Sequence, residues 1–187
     1  MSLPVVAIVG RPNVGKSSLF NRFIQRRKAV VDPISGVTRD RNYALCDWNG
    51  REFRIVDTGG IVPGSKDGME QAIQAQSEFA IEESDLVLLV IDAQSSLDQS
   101  DQLLARILLR SKKPVILVSN KVDSDEQESG IFEAVNLGLG EPLPTSATVG
   151  RGVGDLLDRL VDMLPAPEPS PSPEGTNRVA LVGRPNV

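Results

Sequence analysis

The sequence predicts an α/β domain in which a mainly parallel sheet carries helices on both faces and one antiparallel strand at an edge. Three observations predict it. Short unbroken apolar runs recur, as strands covered on both faces require. Stretches with apolar residues at helical spacing alternate with those runs. One pair of alternating segments is joined by Asn49-Gly50, a strong hairpin signal.

Each element can be justified in chain order. Residues 5–9 are continuously apolar and form the first buried strand. Residues 16–26 place Leu19, Phe20, Phe23 and Ile24 on one helical face. Residues 42–48 and 51–57 alternate on either side of Asn49-Gly50, so one of them lies antiparallel at the edge. Residues 69–82 are compatible with a helix, and 85–91 with a second buried strand. Leu103, Leu104, Ile107 and Leu108 give the helix 99–110 its apolar face. Residues 114–119 form a third buried strand, and 142–145 a short fourth. Val153, Leu156, Leu157, Leu160, Val161 and Leu164 make a clean helical stripe. In such sheets, ligands bind beyond the carboxyl ends of the strands.

Composition narrows the chemistry. The 187 residues include no histidine and one cysteine, Cys46. That excludes Ser-His-Asp and Cys-His triads, His-ligated zinc and an intramolecular disulfide. Proton chemistry must then rest on carboxylates, the substrate or bound ions. The net charge of −5 gives no general basic surface for nucleic acid, and aromatics at 4% give little for base stacking. Arg26-Arg27-Lys28 is a modest local basic patch. No apolar run is long enough to span a bilayer, and the amino terminus lacks the basic region of a signal peptide. One thiol and no export signal fit a reducing cytoplasm, with no membrane partner.

The chain also repeats itself. Ala7-Ile8-Val9-Gly10-Arg11-Pro12-Asn13-Val14 returns as Ala180-Leu181-Val182-Gly183-Arg184-Pro185-Asn186-Val187, with seven of eight positions identical. Before the second copy runs a proline-alternating stretch that cannot form a helix and extends at about 3.1 Å per residue. The expected organisation is a nucleotide-binding domain at 1–164, a Pro-rich linker at 165–177, and the first strand of a truncated second domain at 178–187.

Four motifs carry the chemistry. Gly10-Arg11-Pro12-Asn13-Val14-Gly15-Lys16-Ser17 fits G-x-x-x-x-G-K-[ST], follows a buried strand and opens a helix. Its glycines let backbone N–H groups approach a polyphosphate at the positive helix end. Lys16 is placed to reach the β- and γ-phosphates, Ser17 to ligate Mg²⁺, and Ser18 to lie near the α-phosphate. Asp57-Thr58-Gly59-Gly60 ends a strand facing that loop. Asp57 can hold Mg²⁺ through its water shell, and Gly60 lets an N–H approach the γ-phosphate. Asn120-Lys121-Val122-Asp123 closes another strand. Asp123 can accept from both guanine N1 and the exocyclic amine, a pair of donors that adenine lacks. Lys121 can lie along the base, and Asn120 can tie the base loop to the phosphate loop. Thr145-Ser146-Ala147 follows the short strand, where backbone N–H groups at Ser146 and Ala147 can reach guanine O6. Thr38, in a loop rich in Pro, Gly, Ser and Asp, is a candidate to complete the Mg²⁺ shell and touch the γ-phosphate. The expected fold class is then a P-loop NTPase resembling the small GTPases, with GTP and GDP as the expected ligands.

These residues resemble the Der (EngA) family of tandem-GTPase bacterial ribosome-assembly factors, at its first GTPase domain. The marks are the phosphate loop, Gly36-Val37-Thr38-Arg39-Asp40-Arg41, Asp57-Thr58-Gly59-Gly60-Ile61, Gly138-Leu139-Gly140-Glu141, Gly150-Arg151-Gly152-Val153 and the restart at Arg178. The resemblance implies GTP hydrolysis during maturation of the large ribosomal subunit. It also implies a complete second GTPase domain and a C-terminal RNA-binding-type domain, both missing here. Ile61 stands where glutamine often orients the attacking water. The resemblance implies a substitute: Asn13 coordinates a potassium ion, with carbonyls of the 32–38 loop completing its shell. Lys16, Thr38, Gly60 and Asn13 are then the catalytic set. Unassisted P-loop GTPases turn over at on the order of 10⁻⁴ to 10⁻² s⁻¹, which sets the expected rate. Two function classes stay open at this point: a slow GTP-hydrolysing switch, and a nucleotide-gated binding module with negligible hydrolysis. An ATPase requires Asp123 to be irrelevant.

Overall fold

The structure, a computed structural model, describes residues 3–25, 42–58, 79–124, 131 and 133–166. Among these, six strands form one sheet: β1 (Val5–Val9), β2 (Asn42–Trp48), β3 (Arg51–Asp57), β4 (Leu86–Asp92), β5 (Val115–Asn120) and β6 (Leu143–Pro144). Their order is β2-β3-β1-β4-β5-β6. Only β2 with β3 is antiparallel; the other neighbours are parallel. The hairpin turns at Asn49 and Gly50, both with positive φ (51° and 76°), as a tight primed turn needs. The antiparallel strand at the edge is thus β2.

Three α-helices lie among the described residues: α1 (Lys16–Gln25), α2 (Gln99–Ser111) and α3 (Val153–Met163). Residues 79–83 are helical and overlap the end of the expected helix 69–82; residues 69–78 lie outside the described residues. So do residues 167–187, hence most of the expected linker and the whole second strand start.

Strand alternation sorts the sheet into two cores. Val6 and Ile8 of β1 face Leu19, Phe20 and Phe23 of α1 and Leu156, Leu157 and Leu160 of α3. Val5, Ala7 and Val9 face the other way, onto Leu104, Ala105 and Leu108 of α2 and onto Ala80 and Ile81. Helices therefore cover both faces. Cys46 is buried in the first core, where burial pushes its thiol up to about 12; it is a packing residue.

The ends of the helices are fixed locally. Asp98 accepts from the Asp101 N–H at 3.0 Å, and its own N–H donates to the Asp101 carboxylate at 3.2 Å, a reciprocal cap on α2. α3 starts from Gly152 in the left-handed region (φ 66°), where a Cβ would sit 2.2 Å from the Pro144 carbonyl oxygen. Only glycine allows that close approach. The hairpin tip is tied to α3, since Trp48 Nε1 and Asn49 Nδ2 both donate to Asp158, at 2.6 and 2.9 Å.

Candidate functional site

The carboxyl ends of β1, β3, β4 and β5 lie side by side, and the motif residues sit on them. Ile8 of β1 is paired with Asp57 of β3, and Asp92 of β4 with Asn120 of β5. Two glycines shape the loop between β1 and α1. A Cβ on Gly10 would come 2.3 Å from the Val90 carbonyl oxygen, and one on Gly15 would come 2.2 Å from Asn120 Nδ2. Both residues also hold positive φ, 151° and 97°. The loop is thus pressed against β4 and β5 as closely as a backbone can be.

On the phosphate side, Lys16 is buried and its Nζ donates to the Arg11 carbonyl at 2.8 Å. Burial lowers its pKa from the ordinary 10.5, and the negative charge of Asp57 opposes that shift. Ser17 Oγ donates to Asp57 Oδ2 at 2.7 Å, so the two expected Mg²⁺ ligands already converge on one point. Thr58 Oγ1 donates to the Ile8 carbonyl at 2.8 Å, anchoring the start of the next segment to β1. Asn13, at the exposed tip of the loop, has φ 66°. Ser18 is an exposed residue in the first turn of α1.

On the base side, one buried amide organises the loops. Asn120 Nδ2 donates to the Val14 carbonyl at 2.8 Å, and its Oδ1 accepts from the Ala147 N–H at 3.0 Å. Ser146 Oγ donates to Asp123 Oδ1 at 2.6 Å, which orients that carboxylate. Lys121, in the left-handed region with φ 71°, pairs with Asp92 at 2.7 Å. The 145–148 loop is held from α1, where Arg22 donates to the carbonyls of Ala147 and Thr148.

Two expectations meet a different arrangement. The N–H groups expected at guanine O6 are committed inside the protein: Ser146 donates to the Arg151 carbonyl at 2.9 Å and Ala147 to Asn120. A base oxygen there must share the Ala147 N–H with Asn120. Arg11 belongs to the phosphate loop by motif, yet its side chain turns away to Ser95, Asp98 and Asp101. Only its backbone remains for phosphate. Thr38, Gly59, Gly60, Ile61, the 32–38 loop and Arg26-Arg27-Lys28 lie outside the described residues.

Sequence reasoning missed Arg22, Asp92, Gln94, Ser95, Asp98 and Asp101 as supports of the site. Asp92 and the Asp98-x-x-Asp101 cap did carry a signal, an acid at a strand end and a capping box. Arg22 carried none, because its partners lie far along the chain. Among the described residues no cluster of three or more His, Cys, Asp or Glu could hold a metal. Ser17 and Asp57 offer oxygen ligands, and a site completed by phosphate and water oxygens beside them suits Mg²⁺.

The chain is similar to several known proteins. A family model described as 50S ribosome-binding GTPase matches residues 5–121. The chain is 51% identical over its whole length to a GTPase Der from Flavobacterium johnsoniae, and spans 43% of that protein. It is 49% identical over its whole length to a GTPase Der from Lactobacillus acidophilus, spanning 42% of it. The chain thus spans less than half the length of the curated relatives it matches. Among solved structures, Era in complex with MgGDPNP and nucleotides of 16S ribosomal RNA aligns with a TM-score of 0.70 at 29% identity, over 91% of this chain and 59% of that one. The G domain of the T. maritima FeoB iron transporter aligns with a TM-score of 0.61 at 28% identity, over 86% of this chain and 98% of that one.

Proposed function

The chain belongs to the 50S ribosome-binding GTPase family, and from that premise we propose that it binds GTP and GDP and hydrolyses GTP slowly. The observation that carries the proposal is the Asn120 bridge. It joins the phosphate loop, with Lys16 and Ser17, to the base loop, with Asp123 and Ala147. A nucleotide laid along that bridge meets a cation at its phosphates and a carboxylate at its base. Asp123 accepts two guanine donors, which selects GTP over ATP.

In hydrolysis, a water oxygen attacks the γ-phosphorus, the bond to the β–γ bridging oxygen breaks, GDP leaves with that oxygen, and the water's proton passes to a γ-phosphate oxygen and leaves with the inorganic phosphate. Lys16 leaves the Arg11 carbonyl for the β- and γ-phosphates and stabilises the charge that develops there. Backbone N–H groups of the phosphate loop hold the same oxygens. Ser17 and Asp57 would hold Mg²⁺, which when bound neutralises charge on the phosphate oxygens. Thr38 and Gly60 are proposed γ-phosphate contacts. With no histidine in the chain and Ile61 where a glutamine often orients the attacking water, neither of those side chains is there to position it, which supports a slow rate. Asn13 is proposed as a ligand of a stimulating potassium ion.

We further propose a role in assembly of the large ribosomal subunit, in the cytoplasm, as one domain of a longer tandem GTPase; the 50S ribosome-binding family description and the greater length of the GTPase Der relatives favour it. No helix among the described residues is long and apolar enough to cross a membrane. The test is GTP and ATP binding and turnover, in KCl against NaCl, for wild type and Lys16→Ala. Equal affinity for ATP sinks the base reading, and equal rates in both salts sink the potassium role. Absent wild-type turnover in any salt leaves a nucleotide-gated binding module.

A further inference from the structure

Arg11 does something its motif does not ask of it. Its guanidinium lies between three oxygens of the segment that follows β4. Nη2 donates to Ser95 Oγ, Nη1 lies 3.5 Å from Asp98 Oδ2, and Nε lies 3.1 Å from Asp101 Oδ2. The Asp101 side chain is only 1% exposed. Burial raises its pKa most, and the nearby Asp98 adds to that while its backbone bond and Arg11 oppose it. A buried carboxylate beside another needs a cation, and among the described residues Arg11 supplies one.

The same segment reaches the base side. Ala93 N–H donates to the Asn120 carbonyl at 2.9 Å, Gln94 Nε2 to the Lys121 carbonyl at 2.9 Å, and Asp92 pairs with Lys121. Residues 92–101 therefore touch both halves of the nucleotide site. At the phosphate half, the contact is Arg11, whose carbonyl receives the Lys16 ammonium.

We propose that Arg11 is a positioning residue that clamps the phosphate loop to Ser95, Asp98 and Asp101 and so sets where its backbone meets nucleotide. A planar guanidinium with several fixed donors suits this better than a point charge would. The clamp fixes the backbone of Arg11, whose carbonyl Lys16 leaves when nucleotide binds, and holds the phosphate loop at a fixed distance from the base loop. Its loss should therefore weaken nucleotide binding more than it slows chemistry.

The inference rests on the guanine-nucleotide reading, and the experiment separates the two. GDP affinity and GTP steady-state constants are measured on the full chain for wild type, R11Q, R11K, D101N and R11Q/D101N. R11Q should raise the GDP Kd and the GTP KM about tenfold while kcat changes less than about threefold. R11K should recover part of the loss, and R11Q/D101N should be no worse than R11Q, since both remove one interaction. If D101N does not fold, R11Q and R11K decide alone, because Arg11 is partly exposed. A GDP Kd for R11Q within about twofold of wild type overturns the clamp, as does a fall in kcat at unchanged KM. So does a double variant whose losses multiply. Wild type that binds no GDP overturns the nucleotide reading instead.

Discussion

Replacing Asn120 by alanine should remove two buried hydrogen bonds. The amide is 2% exposed and bonds Val14 and Ala147 at 2.8 and 3.0 Å. Truncation leaves a buried carbonyl and a buried N–H without partners, each costing about 1–3 kcal/mol. Water entering the space left behind recovers part of that. A net loss of roughly 3 kcal/mol is expected, and a domain of this size loses about 2–4 °C of Tm per kcal/mol. The nucleotide-free melt should thus fall by roughly 6–12 °C. Asn120→Asp should fall at least as far, because it keeps an acceptor for Ala147 but sets a carboxylate against the Val14 carbonyl. Circular dichroism melts of apo protein read this directly, with GDP affinity measured in parallel. An Asn120→Ala melt within about 2 °C of wild type refutes the bridge as a strut. So would lost GDP affinity at unchanged stability, which would place the residue's whole effect at the base.

Asp123→Asn should lower GDP affinity by roughly 10²- to 10³-fold. It should raise affinity for xanthosine diphosphate, whose second carbonyl accepts from the new amide; unchanged GDP binding by titration refutes the role of Asp123. Gly152→Ala should destabilise by at least about 2 kcal/mol in denaturant melts, since its φ is 66° and the Cβ would meet the Pro144 carbonyl oxygen. Lys16 supplies a pH dependence. Its pKa is lowered by burial below 10.5, so the unfolded chain holds that proton more tightly. The group's contribution to stability therefore rises with pH between the lowered pKa and 10.5. GDP affinity runs the other way, falling across the same window as the ammonium is lost; an affinity that stays flat up to 10.5 contradicts the shift.

The sequence made the sheet, the hairpin and the placing of the phosphate loop, Asp57 and Asn120 at the carboxyl ends of strands legible because each carries a short-range signal. Asn49-Gly50 permits one turn geometry, and the phosphate loop announces itself by spacing. Strand limits were less legible. The second parallel strand runs Leu86–Asp92 where 85–91 was expected, since an unbroken apolar run has no internal punctuation. Asp85 instead accepts from the Val5 N–H at 2.8 Å. Arg11 shows the other limit. Its partners lie 84 or more residues away, so no window of the chain could reveal that a phosphate-loop residue spends its side chain elsewhere. The Asn120 tie was expected from chemistry. The commitment of the Ala147 N–H to it was not, because a motif names donors without saying who else competes for them.

The split of the sheet into two cores has a consequence for how the strands find their alignment. β1 and β4 are apolar on both sides, so sliding either by one residue would exchange one oily face for another, with no polar residue driven inside to forbid it. What marks the correct alignment is the row of polar residues where the strands stop: Asp57 beside Ile8, and Asp92 beside Asn120. Those residues serve as index marks for assembly as well as contacts for a ligand. Selection for a nucleotide site and selection for correct strand alignment would then act on the same few positions, and a lesion at one of them can damage folding fidelity before any nucleotide arrives.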